Sequence, residues 1–154
     1  MERVTDVAAA VESTVDALVA VLDAARMEQS PAVPPAQLRV LTIVAGNQHT
    51  NMNRLADALG VVPSSASRLC DRLEATGLLR RVADPRDRRE VRLELTATAR
   101  RLLTELHDRR RTALAAVLED MTPASRQELV RALAAFDVAA APDKGEKAGG
   151  LRTA

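Results

Sequence analysis

The chain of 154 residues has one aromatic residue, Phe136, and neither tryptophan nor tyrosine. A core without large rings must be built from Leu, Val and Ala, which points to packed helices and away from a sandwich or barrel. Much of the 47% apolar content is alanine. Each alanine buries little area, so a lone monomer is marginal and dimerisation would help. The single cysteine, Cys70, excludes an internal disulfide framework and fits a reducing cytosol. No apolar run approaches the roughly 18–20 residues that span a bilayer. The start, Met1-Glu2-Arg3-Val4-Thr5-Asp6, has no basic n-region and no apolar h-region. A cytoplasmic protein without a membrane partner is expected. The two histidines, His49 and His107, have no Cys or second His at ligand spacing, so no metal is expected. No Ser-His-Asp set and no phosphate-binding glycine loop is visible, so neither catalytic residues nor a cofactor are expected.

What is present is arginine: 20 of the 22 basic residues. The formal net charge of +1 conceals an uneven distribution. Residues 1–30 carry six acids and two arginines, a net of −4, whereas residues 64–92 carry eight arginines and five acids, a net of +3. A polyanion would be met by the middle of the chain. Six of these arginines fall between Arg80 and Arg92. The tip of that stretch, Asp84-Pro85-Arg86-Asp87-Arg88-Arg89, has turn chemistry, since Asp caps its own turn and Pro presets φ. Val91-Arg92-Leu93-Glu94-Leu95 then alternates with a two-residue period. A hairpin with arginines at its tip suits a DNA minor groove, where negative potential attracts guanidinium groups. Taken alone, the stretch fits a solvated charged turn equally well.

The rest of the chain has helical periodicity. Val4, Val7, Ala8, Val11, Val15, Leu18, Val19 and Leu22 predict an amphipathic helix over 2–28, ended by Ser30-Pro31-Ala32-Val33-Pro34-Pro35. A second helix begins near Pro35, buries Leu38, Leu41 and Val44, and ends at Gly46-Asn47. Asn51 caps a short third helix over 52–59, which Gly60 stops. A fourth runs over 63–76 with Ala66, Leu69, Cys70 and Leu73 inward, and Gly77 ends it. Beyond Leu95 a stripe from Ala99 through Leu102, Leu103, Leu106, Ala113, Leu114, Val117 and Leu118 to Met121 predicts a helix of about 25 residues. Thr122-Pro123 opens a last helix through Leu129, Leu133 and Phe136. Residues 142–154 have the composition of a disordered tail.

Two short helices joined by Gly60-Val61-Val62 and followed by an Arg-tipped hairpin make a winged helix-turn-helix. The first helix, with Asn53, braces against the DNA backbone. The second lies in the major groove with Ser64, Ser65, Ser67, Arg68, Asp71 and Arg72 outward. The Ser hydroxyls allow close approach, and Arg68 can reach a guanine or a phosphate. The candidate DNA contacts are Asn53, Ser64, Ser65, Ser67, Arg68, Arg72, Arg86, Arg88 and Arg89. Cys70 lies on the inner stripe and reads as packing, not as a redox sensor. Arg109-Arg110-Arg111 reads as a solvated face, and Met27 and Met121 as core gap-fillers.

Leu55-Ala56-Asp57-Ala58-Leu59-Gly60-Val61, Ser67-Arg68-Leu69-Cys70-Asp71-Arg72-Leu73-Glu74-Ala75-Thr76-Gly77-Leu78, Asp84-Pro85-Arg86-Asp87-Arg88-Arg89 and Leu93-Glu94-Leu95-Thr96 together resemble the multiple-antibiotic-resistance regulator (MarR) family. The resemblance covers residues 5–140 by helix order, and its sequence-specific part is 52–96. It implies a mainly α fold with a small β-hairpin wing. Residues 31–96 would form the DNA-binding domain, and 1–30 with 97–141 a helical dimerisation region. It further implies a homodimer on a pseudo-palindromic operator, nucleoid-associated in the cytoplasm and acting as a repressor. In the family pattern Asp87 braces the hairpin and Arg89 enters the minor groove. Two departures stand out. Val62 cannot cap the recognition helix with a side chain, which opens that helix start to a shift or to reliance on Ser64 or Ser65. The aromatic residues that often line the family's effector pocket are missing, which leaves Arg26 and His107 as pocket candidates and favours an aliphatic or weakly bound small-molecule effector, or none. The competing reading is a non-catalytic helical interaction module whose basic hairpin docks an acidic protein.

Overall fold

Among the described residues, two glycines with positive φ set the frame of the fold. Gly60 (φ 68°) and Gly77 (φ 71°) each end a helix in the left-handed region, where a Cβ is strained. At the first turn the Val61 N–H donates to the Ala56 carbonyl (3.1 Å), and at the second the Leu78 N–H donates to that of Leu73 (2.8 Å). These bonds satisfy carbonyls that a helix end otherwise leaves open. A computed structural model describes residues 3–28, 32–87 and 89–141. The expected tail 142–154 lies outside the described residues, as does Arg88. In chain order the elements are α1 (Val4–Met27), α2 (Pro35–Gly46), α3 (Met52–Leu59), α4 (Pro63–Ala75), β1 (Leu79–Ala83), β2 (Val91–Leu95), α5 (Ala97–Glu119) and α6 (Pro123–Ala140).

The chain divides into two units, residues 1–114 and 115–154. The core of the first joins α2, α3, α4, the hairpin and the start of α5. Leu41, Leu55, Leu73, Leu93 and Leu106 are fully buried there, with Val33, Leu38, Val40, Val44, Ala66, Cys70, Leu79 and Leu95 around them. A fully buried Leu contributes roughly 1.5–3 kcal/mol. α3 begins where the Asn51 side chain accepts from the Arg54 N–H at 3.0 Å. β1 and β2 pair antiparallel from Leu79↔Leu95 to Ala83↔Val91. A third short segment braces the hairpin, for Asn51 bridges to Arg92 and the Leu93 N–H donates to the Thr50 carbonyl at 2.8 Å. Thr96 joins hairpin to helix. Its hydroxyl donates to the Gly77 carbonyl (2.7 Å) and also accepts from the Ala99 N–H (3.2 Å), capping α5.

The apolar stripe of α1 is open in the single chain: Val7, Val11, Val15, Leu18 and Val19 are exposed, and only Ala25 is buried. Met27, expected in the core, is 66% exposed, because the core cluster has no member earlier than Val33. On α5 the buried stripe is Ala99, Leu102, Leu103 and Leu106. In the second unit Arg126 donates to the carbonyls of Leu118 (2.6 Å) and Glu119 (3.2 Å), and Thr122 caps α6. Leu133 and Phe136 of α6 are exposed, and Met121 is half-buried. Among the described residues no helix is long and apolar enough to cross a membrane.

Candidate nucleic-acid interface

α4 starts without a side-chain cap. Val62 is its N-cap residue at φ −70° and ψ 149°, and Pro63 takes the first helical position. The helix start neither shifts nor borrows Ser64 or Ser65. The Val62 carbonyl accepts from the N–H groups of Ser65 (3.0 Å) and Ala66 (3.2 Å), and the preset φ of Pro63 makes a side-chain cap unnecessary. Ser64, Arg68 and Arg72 are exposed on this helix, as is Asn53 on α3. Ser65 and Ser67, expected outward, are half-buried.

The hairpin tip is braced by its own acids. The Asp84 carboxylate accepts from the Arg86 N–H (2.8 Å), and that of Asp87 accepts from the Arg89 N–H (2.9 Å). The Glu90 N–H closes onto the Asp87 carbonyl (2.9 Å), and the Asp84 N–H onto that of Glu90 (2.9 Å). These local turns hold the backbone with aspartates and leave the guanidinium groups unspent.

The arginines of the wing fall into two sets. Arg80 grips Glu94 with Nε (3.0 Å) and Nη2 (2.7 Å), and Arg92 pairs with the other oxygen of the same carboxylate. The Arg80 hydrogen bond holds the Glu94 carboxyl below its ordinary range; burial opposes it, and Arg92 adds to the lowering. Arg81 turns back onto α4. Its Nη2 donates to Asp71 (2.9 Å) and Ser67 (3.3 Å), its Nη1 pairs with Glu74, and its backbone N–H donates to Glu74 at 3.1 Å. Burial works against the Arg81 charge, but the bond to Asp71 and the charges of Glu74 and Asp71 raise its pKa above the ordinary arginine value. Among the described residues, Arg68, Arg72, Arg86 and Arg89 make no ion pair and are exposed. Three wing arginines therefore neutralise Asp71, Glu74 and Glu94, and leave Arg68, Arg72, Arg86 and Arg89 with their charges unspent.

The cluster of Ser67, Asp71, Glu74 and Arg81 was not foreseen; Ser67 and Asp71 read as outward DNA-facing positions. The signal for it is the spacing, since 67, 71 and 74 are four and three apart and share one helix face. Cys70, on the adjoining buried face, is fully enclosed. Burial pushes its thiol up to about 11, with Arg81 lowering it and Glu74 and Asp71 raising it. A thiol held protonated is a poor nucleophile, consistent with packing.

Arg26 and His107 gain no common site from the described cavities. Arg26 pairs with Asp23 one turn away (3.5 Å), and His107 is exposed. A cavity of about 380 Å³ at the end of α2 is lined instead by Val44, Asn47, Leu93, Leu95, Arg92 and Arg100, among others. Nor is 109–111 a wholly solvated face. Arg109 and Arg110 are half-buried, with Nη1 and Nε respectively enclosed, while Arg111 is exposed beside Asp108.

Comparison with known proteins follows this geometry. A family model described as MarR family matches residues 33–90. The uncharacterised HTH-type transcriptional regulator YfiV of Bacillus subtilis (strain 168) is 28% identical over 97 residues, 63% of this chain and 61% of that protein. The HTH-type transcriptional repressor MdtR of the same organism is 34% identical over 68 residues, 44% of each. The matches thus span less than two thirds of these two relatives. The crystal structure of RV1404 from Mycobacterium tuberculosis superimposes with a TM-score of 0.83 at 34% identity, over 92% of this chain and 97% of that one.

Proposed function

Because the chain belongs to the MarR family of winged helix-turn-helix proteins, we propose that it is a sequence-specific DNA-binding transcriptional regulator and acts as a repressor. The observation that carries this reading is the partition of charge. Arg68 and Arg72 on α4 and Arg86 and Arg89 at the hairpin tip stand exposed and unpaired, while Asp71, Glu74 and Glu94 are each matched by an arginine. Pairing these three carboxylates reduces their repulsion of phosphates, and the free arginines supply the attraction. In this reading α4 enters the major groove and the wing a flanking minor groove. Asn53, Ser64 and Ser65 stand beside them as polar contacts, Arg88 joins Arg86 and Arg89, and Asp87 holds the turn.

The regulator works as a homodimer in the cytoplasm. Residues 1–30 and 97–141 form the dimerisation region, and 31–96 the DNA-binding domain. The support is the exposed valine stripe of α1 and the exposed Leu133, Phe136 and Val138 of α6, apolar surface that a second copy would cover. A small-molecule effector would meet aliphatic walls and Arg100 in the cavity beside α2, where Arg92 is already paired with Glu94, a lining that offers no aromatic ring to stack on.

Selection of bound duplexes from a random pool tests the reading. It should enrich a pseudo-palindrome with half-sites roughly 10 base pairs apart, retained in a salt-dependent way. Retention on acidic proteins with no duplex preference would favour a docking module instead.

A further inference from the structure

We propose that Arg81 is a positioning residue that fixes the wing against the recognition helix α4, so that the arginines of both reach one DNA site together. The inference rests on the DNA-regulator reading above. Its basis is where the hairpin is tied. At its base Thr96 bonds Gly77, and on the β2 side Leu93 bonds Thr50. On the β1 side the tie is Arg81, which reaches Ser67, Asp71 and Glu74 along one stripe of α4 and sits opposite Leu93 in the ladder. Past this point the described polar contacts of residues 82–91 are internal to the hairpin. The wing is then a lever. From Arg81 to Arg86 it extends at most roughly 16 Å, the length at about 3.3 Å per residue if the strand ran straight through the turn. A swing of about 10° would carry the tip some ~3 Å, far more than the few tenths of an ångström that separate a good hydrogen bond from a broken one.

The chemistry suits Arg and not Lys. A planar guanidinium can bond Asp71 and Glu74 at once while its own backbone N–H also bonds Glu74, whereas an ammonium is a point charge on a flexible stem. The arrangement also assigns Asp71 and Glu74 a part. Their charges lie on the helix proposed to face DNA, where a bare carboxylate would oppose binding, and they act as anchors for the wing.

That reversal of sign gives the test. The wild type, Arg81→Lys and the double variant Asp71→Asn/Glu74→Gln are titrated against the duplex selected by the wild type and against a scrambled duplex. Thermal melts establish folding, and hydroxyl-radical footprints locate the wing. Arg81→Lys keeps the charge, so it should bind the scrambled duplex like the wild type but lose about tenfold on the selected one, because the wing must be ordered at binding. Its minor-groove footprint should fade while the major-groove protection persists. The double variant removes two negative charges and should nevertheless weaken selected binding. Tighter selected binding by the double variant, or unchanged selected binding and footprint in folded Arg81→Lys, would overturn the proposal. A wild type that prefers no duplex would overturn the regulator reading itself, and the positioning role with it.

Discussion

Arg89 offers the cleanest perturbation of the wing. Its side chain is exposed and unpaired, and the bond that involves it in the turn is made by its backbone N–H to Asp87. Arg89→Ala therefore keeps the turn and should change stability by less than about 0.5 kcal/mol. In a dimer it removes two charges from the DNA face. Each lost phosphate contact flattens the log–log dependence of affinity on salt by about 0.9, so the slope should fall by roughly 1.8. Between about 50 and about 200 mM salt the gap between wild type and variant should accordingly close by about twelvefold. Fluorescence anisotropy on one labelled operator at four or five salt concentrations measures this directly. An unchanged slope and affinity in a folded Arg89→Ala protein would remove the wing from the mechanism.

Arg68→Ala should cost about 1–3 kcal/mol at one position of each half-site and relax choice there, which selection on randomised duplexes would reveal; a uniform loss over all sequences would make Arg68 a phosphate contact. The valine stripe of α1 should be covered by a second copy, so analytical ultracentrifugation should find a dimer at micromolar concentration, and a stable monomer there would contradict the assignment. Gly60→Ala should destabilise by about 1 kcal/mol through its positive φ alone, since a Cβ there meets nothing within 4 Å, while Gly46→Ala, equally open but the last residue of α2 without a positive φ, should stabilise by about 0.5 kcal/mol; urea unfolding midpoints report both signs. Cys70, with its thiol pushed up to about 11, should resist iodoacetamide at pH 8 in the folded protein and react once it is unfolded.

Element boundaries were legible where the chain carries local stop and start signals. α3 spans Met52–Leu59 as expected because Asn51 and Gly60 act within one turn of themselves. The turn acids were legible for the same reason, since Asp84 and Asp87 bond backbone two residues on. The start of α4 at Pro63 and the lack of a Val62 side-chain cap were legible, but the start needed neither a shift nor Ser64 or Ser65, because Pro63 presets the helical φ and has no N–H to satisfy. Met27 and the half-buried Arg109 and Arg110 were misjudged because a helical period identifies a face but not what lies against it.

The sequence by itself determined the order and bounds of the helices, the hairpin, the charge asymmetry and the turn chemistry of the tip, all of which act over a few residues. Which arginines remain free only the tertiary structure decided. Arg80, Arg81 and Arg92 look no different in the sequence from Arg86 and Arg89. Strand register sets Arg80 opposite Glu94, and the packing of β1 on α4 brings Arg81 to Ser67, Asp71 and Glu74, seven to fourteen residues away along the chain. An ion pair depends on separation in space, and that separation exists only once the hairpin has closed on the helix.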